Sequence, residues 1–140
     1  MIAALTISPQ RRRVGLYFSL GINVNVNTPW VVGFLQQLAR HLRGPIIVIW
    51  DRLTVHRALR VTKYVANHPR LRAVFLPPYA PELNPVESFW SYLKINPLAN
   101  HAAEDTQQLE QIARRHTHKI RRRQDLLRCF IRSTPLSLRL

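Results

Sequence analysis

The run Leu76-Pro-Pro-Tyr-Ala-Pro-Glu-Leu-Asn-Pro-Val-Glu-Ser-Phe-Trp-Ser-Tyr-Leu-Lys94 constrains this chain more than any other stretch. Pro77, Pro78, Pro81 and Pro85 each fix φ at about −65° and remove a backbone donor. The residue ahead of each proline is turned away from the helical region. The spacing therefore predicts a loop that stays extended up to Asn84 and then starts a helix abruptly. Asn84 suits the N-cap, Pro85 the first helical position and Glu87 the third. Phe89, Trp90 and Leu93 follow at helical spacing, so one side of that helix is core. The outcome is a stiff loop that delivers one carboxylate, Glu87, on the first turn of a helix. Two roles are open to Glu87: a capping box, in which it reaches back to the Asn84 N–H, or chemistry.

A second carboxylate stands upstream. Ile46-Ile47-Val48-Ile49-Trp50 is apolar at every position, as expected of a strand buried on both faces of a helix-covered sheet. It ends at Asp51, and open α/β sheets place ligands at the C-terminal ends of their strands. The same Asp51 can instead cap the following helix. His56, five residues on, is a candidate metal ligand or a packing and hydrogen-bonding residue.

The remaining pattern is α/β. Ile2–Ile7 and Val14–Leu20 read as a hairpin with Arg11, Arg12 and Arg13 at its tip. A helix is predicted from Thr28 as N-cap to about Leu42, with Val31, Leu35, Leu38 and Leu42 as its buried stripe. After Asp51 one helix is expected over about Val55–Asn67, with Ala58, Val61 and Val65 inward. A strand over Leu71–Leu76 leads into the proline loop. A helix from Glu104 to about Arg123 places Leu109, Ile112, Ala113, His116 and Ile120 on one stripe and Arg114, Arg115, Lys119 and Arg122 on the other side. A short helix over about Gln124–Arg132 closes the series. Residues 1–100 are expected to form the main domain and 101–140 a basic helical extension of it.

Charge narrows the partners. The 140 residues carry 21 Lys and Arg against 7 Asp and Glu, a net charge of +14. Such an excess favours a polyanion, usually nucleic acid. The one cysteine, Cys129, excludes an internal disulfide. No apolar run approaches the roughly 18–20 residues that span a membrane, and Met1–Thr6 lacks the flank of a signal peptide. The simplest reading is a cytoplasmic protein.

Asp51, His56 and Leu76-Pro-Pro-Tyr-Ala-Pro-Glu-Leu-Asn-Pro-Val-Glu87 together resemble the C-terminal part of a DDE-superfamily transposase, of the mariner-related insertion-sequence branch. In that family an Asp ends a strand and a Glu follows a proline-rich loop closing in Asn-Pro-x-Glu. The 35 residues between Asp51 and Glu87 fit the family's spacing. One departure is Arg52, where the family often has Asn. The resemblance covers about Ile2 to Leu138. It implies a ribonuclease-H-like mixed sheet flanked by helices, with extra helices at the C-terminus. It also implies DNA cleavage and strand transfer by two Mg²⁺ or Mn²⁺ ions held on carboxylates, with Asp51 and Glu87 as catalytic metal ligands. Arg11, Arg12, Arg13, Arg114, Arg115, Lys119 and Arg122 are the expected DNA contacts.

A pair of metals needs at least three carboxylates. Residues 1–50 contain no Asp and no Glu. Glu82 reads as a loop residue, and Glu104, Asp105, Glu110 and Asp125 as helix-surface or capping residues. The expectation is a catalytic-domain fragment lacking its first strand and first Asp, inactive alone. The missing N-terminal part, another transposase copy or a second copy of this chain are its expected protein partners. Two rivals stay open: a non-catalytic basic nucleic-acid-binding protein, and an unrelated RNA-binding protein.

Overall fold

The computed structural model describes residues 1–8, 10, 13–21, 25–95 and 106–136. Arg11, Arg12 and the expected helix start at Glu104 lie outside the described residues. The element order is β1 (Ile2–Ser8), β2 (Arg13–Ser19), α1 (Thr28–His41), β3 (Ile46–Trp50), α2 (Thr54–Arg57), α3 (Leu59–Asn67), β4 (Leu71–Phe75), a 3₁₀ turn (Pro81–Leu83), α4 (Pro85–Leu93), α5 (Thr106–Ile120) and α6 (Gln124–Arg132). This is a mixed α/β architecture with flanking helices, consistent with a ribonuclease-H-like domain. Among the described residues the strands form two pairs, β1 with β2 and β3 with β4. The chain divides into two compact units, one of Ile2 and Asn25–Pro81, the other of Met1, Ala3–Val24 and Glu82–Leu140.

The Asn25–Pro81 unit carries α1 ahead of a β-α-β element made of β3, α2 with α3, and β4. Strands β3 and β4 pair in parallel, in register from Ile46 with Leu71 to Trp50 with Phe75. Parallel neighbours need a helical crossover, and α2 and α3 supply it. Val31, Val32, Leu35 and Ala39 of α1 and Val61 and Val65 of α3 form one core with Ile46 and Leu71. The other face of the pair is open: Ile47 is 66% exposed, Ile49 53% and Val74 50%. The expectation that Ile46–Trp50 is buried on both faces is therefore corrected. Alternation along the strand sends Ile47 and Ile49 away from α1 and α3.

Two local details also differ from expectation. The N-cap of α1 is Asn27, not Thr28, because the Asn27 side chain accepts the Trp30 N–H at 3.0 Å. The helix expected over Val55–Asn67 is broken at Ala58, whose ψ of 138° is extended. Neither glycine nor proline stands there. The single turn of α2 instead carries His56, which is held from two sides, as described below. At the other end of the unit, the Arg70 guanidinium donates to the carbonyls of Leu42 at 2.8 Å, Gly44 at 3.3 Å and Ala39. A cation on the last carbonyls of α1 satisfies acceptors that have no intrahelical donor and complements the helix dipole.

The second unit packs α4, α5 and α6 on the β1–β2 pair. Its core is Val14, Leu16, Phe89, Leu93, Ile120, Leu127, Phe130 and Ile131. The spacing of Phe89 and Leu93, and of Leu127, Phe130 and Ile131, is one face of a helix in each case. Trp90 and Tyr92 pack partly against the same core. Gly15 is required in β2, since a Cβ there would lie 2.5 Å from Thr6 Oγ1 across the pair. The stripe of α5 is Ala113, Thr117 and Ile120, while Leu109 is 39% exposed, so Leu109 is not part of it. Thr117 is buried without cost because its hydroxyl donates to the Ala113 carbonyl at 2.7 Å.

Gln124 joins the first and last parts of this unit. Its Oε1 accepts the Val14 N–H at 3.1 Å and its Nε2 donates to the Val14 carbonyl at 2.7 Å. The side-chain amide thus occupies both backbone groups of a fully buried β2 residue, as a neighbouring strand would.

Candidate functional site

Asp51 directly follows β3, and its backbone turns at once into Arg52-Leu53 and α2. One carboxylate oxygen, Oδ1, accepts from the Leu53 N–H at 3.1 Å and pairs with His56 Nδ1 at 2.8 Å. The first bond is the local turn that Asp forms readily with the backbone two residues on. Both bonds fall on the same oxygen. The Asp51 side chain is 39% exposed and that of His56 14%. The His56 ring also stacks on Trp50, with centroids 4.7 Å apart and planes 7° from parallel. Asp51 is the only acid between residues 25 and 81, a stretch with eight Lys and Arg.

Arg52 takes the place of the Asn that the resemblance leads one to expect. Its Nε donates to the Leu76 carbonyl at 3.1 Å, and its guanidinium carbon lies 5.9 Å from the Phe75 ring centroid. The Leu76 N–H in turn donates to the Trp50 carbonyl at 2.8 Å, carrying the β3–β4 ladder one step past Phe75. Arg52 therefore clips the start of the proline loop to the strand end that bears Asp51.

The proline loop is not extended throughout. Tyr79 has φ of 58°, in the left-handed region, and Pro81–Leu83 forms a 3₁₀ turn. Proline on both sides of Tyr79-Ala80 leaves the reversal of direction to a residue that is not proline. Tyr79 takes it up and points fully into solvent. The cap beyond is as expected: the Asn84 side chain accepts the Val86 N–H at 3.2 Å, and Pro85 opens α4.

Glu87 stands at the third position of α4. Its N–H is met by the Asn84 carbonyl at 3.0 Å, and its side chain is exposed. Among the described residues the Glu87 carboxylate makes no hydrogen bond back to Asn84. Its helix is nailed down two residues later by the fully buried Phe89. Asp51 belongs to the Asn25–Pro81 unit and Glu87 to the other. His56 is the site residue that the structure brings against Asp51. Among the described residues no three His, Cys, Asp or Glu gather in a way that would hold a metal ion.

The donor type at Asp51 and Glu87 suits a hard divalent cation, which takes carboxylate oxygens. Glu82, in the 3₁₀ turn, is exposed.

The basic surface is partly self-neutralised. Arg114 pairs with Glu110 at 2.7 Å, and Arg123 with Asp125 at 2.6 Å. The hydrogen bond from Arg123 holds the Asp125 carboxyl below the usual carboxylate range. The Arg121 guanidinium carbon lies 5.4 Å from the Tyr17 ring centroid. Arg13, Arg115, Lys119 and Arg122 are exposed. The roles of Arg121, on Tyr17, and of Trp50, under His56, had no mark in the sequence beyond residue type.

A family model described as DDE superfamily endonuclease matches residues 11–110. The matched span contains Asp51, His56, the proline loop and Glu87. No curated protein and no solved structure matches the chain. Among the described residues no helix is long and apolar enough to cross a membrane.

Proposed function

The chain belongs to the DDE superfamily endonucleases, and from that premise we propose that it is a transposase-type DNA-processing domain of the mariner-related insertion-sequence branch. Its substrate is DNA. Asp51 and Glu87 are the two carboxylates it contributes, each a ligand for a divalent cation, Mg²⁺ or Mn²⁺. The observation that carries the reading is a carboxylate directly after a strand and, past 35 intervening residues, an exposed carboxylate on the first turn of a loop-set helix.

In the intact chemistry the cations lower the cost of charge on the attacking and leaving oxygens. What this chain's own residues do is narrower. Asp51 and Glu87 offer hard oxygen donors, and the exposed cations offer contacts to phosphate. Residues 1–50 offer no carboxylate at all. A two-carboxylate set cannot fix a metal pair, and misplacing a reacting group by about 1 Å already costs on the order of a hundredfold. The protein alone is therefore expected to bind DNA and not to cut it. A third carboxylate would come from outside these 140 residues.

DNA binding gives the first test. Affinity is expected to fall steeply with salt and to depend little on sequence, because phosphate contacts release counterions. Six phosphate contacts would cost about a thousandfold in affinity between roughly 50 and 200 mM salt. Changing Arg115, Lys119 and Arg122 together to alanine should lower the slope of log affinity against log salt by about 2–3. A titration on two unrelated duplexes at several salt concentrations measures both. Affinity that is unchanged across that range contradicts the proposal. Metal-dependent cleavage by the purified protein, lost in Glu87→Ala, would show that two carboxylates suffice.

A further inference from the structure

Trp50, Asp51 and His56 form a small self-contained assembly. His56 sits on one turn of helix that ends at Ala58, and its ring is fixed by Trp50 underneath and by Asp51 at its edge. A stacked ring with 14% of its side chain exposed has little freedom to turn. It therefore defines where Oδ1 of Asp51 must be. The Leu53 N–H closes on the same oxygen from the backbone side. With Oδ1 held twice, rotation of the carboxylate about its own axis is suppressed, and both bonds leave Oδ2 uninvolved.

We infer that His56 is a positioning residue: it locks the Asp51 carboxylate through Nδ1–H so that Oδ2 is presented, in one rotamer, to a divalent cation. This rests on the reading of Asp51 as a cation ligand. His56 acts in this arrangement through the carboxylate that its Nδ1 holds. The physical logic is that of supporting residues at metal sites, which orient the ligand and whose loss costs about 10–100-fold in metal affinity.

The experiment uses three variants of the whole chain. His56→Phe keeps a ring for Trp50 and removes the donor. His56→Asn keeps a donor near the Nδ1 position. Asp51→Asn removes the ligand charge. Three-bond couplings from the Asp51 carboxyl carbon to backbone nitrogen and carbonyl carbon read its rotamer by NMR, without metal. Mn²⁺ affinity is read separately, from the electron paramagnetic resonance of the free ion. In wild type and His56→Asn a single Asp51 rotamer is expected, and in His56→Phe an averaged one. Mn²⁺ binding should weaken about tenfold in His56→Phe and recover most of that in His56→Asn.

An unaveraged Asp51 rotamer and unchanged Mn²⁺ affinity in His56→Phe, together with lost binding in Asp51→Asn, would overturn the role of His56 and leave Asp51 as a ligand. Mn²⁺ binding that Asp51→Asn does not alter would overturn the reading of Asp51 itself, and the inference with it.

Discussion

Phe89→Ala is expected to destabilise the protein by about 3–5 kcal/mol, the range for truncating a buried aromatic residue. Phe89 has no exposed surface and is the largest of the fully buried side chains. Its ring meets Trp90 at 4.8 Å and Phe130 at 6.1 Å between centroids, the second pair edge-on. Removing it opens a cavity between α4 and α6 that neither Leu93 nor Leu127 can fill from its own position. A loss of this size is a large share of the roughly 5–15 kcal/mol that holds a domain together. The effect also reaches function. Glu87 lies two residues before Phe89, so the helix turn that presents the carboxylate loses its anchor. Urea denaturation gives the stability change, and hydrogen exchange at the amides of α4 gives its local part. A variant that unfolds within 1 kcal/mol of wild type would mean that α4 is not held through Phe89.

The second large effect is expected from Gln124→Leu, a loss of about 2–4 kcal/mol. Leucine conserves bulk and helix propensity but satisfies neither backbone group of Val14. Leaving a buried donor or acceptor without a partner costs about 1–3 kcal/mol each. Gln124→Glu separates the two bonds: a carboxylate still accepts from the Val14 N–H but faces the Val14 carbonyl with no donor. Its loss should fall between those of wild type and the leucine variant when the carboxylate is protonated, and approach the leucine value when it is ionised. Denaturation of the three proteins measures the order. Equal stability of wild type and Gln124→Leu would show that water replaces the amide on β2.

Much of the local structure was legible in the sequence. The bounds of β3 follow from its apolar run, and the last helix was expected over Gln124–Arg132, where α6 lies. Asn84-Pro85 announced the start of α4 because cap and first-turn chemistry are encoded in adjacent residues. What stayed hidden depends on partners distant in sequence. The exposure of Ile47 and Ile49 is set by which face α1 and α3 cover, not by the strand's own composition. The Gln124 amide finds Val14 across 110 residues, and Arg70 finds the end of α1 across 28 and 31. The turn at Tyr79 was obscured by a different cause. Prolines report the φ of their own position and push the residue before them to an extended form, but they say little about which residue absorbs a reversal.

The candidate site divides in the same way. Asp51 and Glu87 stood out through their neighbours in sequence, a buried strand and a proline loop. For His56 the sequence left two roles open, a metal ligand or a packing and hydrogen-bonding residue, and the structure shows the second, on Trp50 and Asp51. No breaker residue marks the break between α2 and α3 at Ala58.

The proposed roles of Asp51 and Glu87 as cation ligands are open to direct measurement by Mn²⁺ titration. Wild type, Asp51→Asn, Glu87→Gln and the double variant are titrated under one set of conditions. Weak binding is expected from wild type, with a loss of at least about tenfold in each single variant, no smaller than a supporting residue costs. An Asp51→Asn or Glu87→Gln protein that binds Mn²⁺ as wild type does would remove that residue from the ligand set.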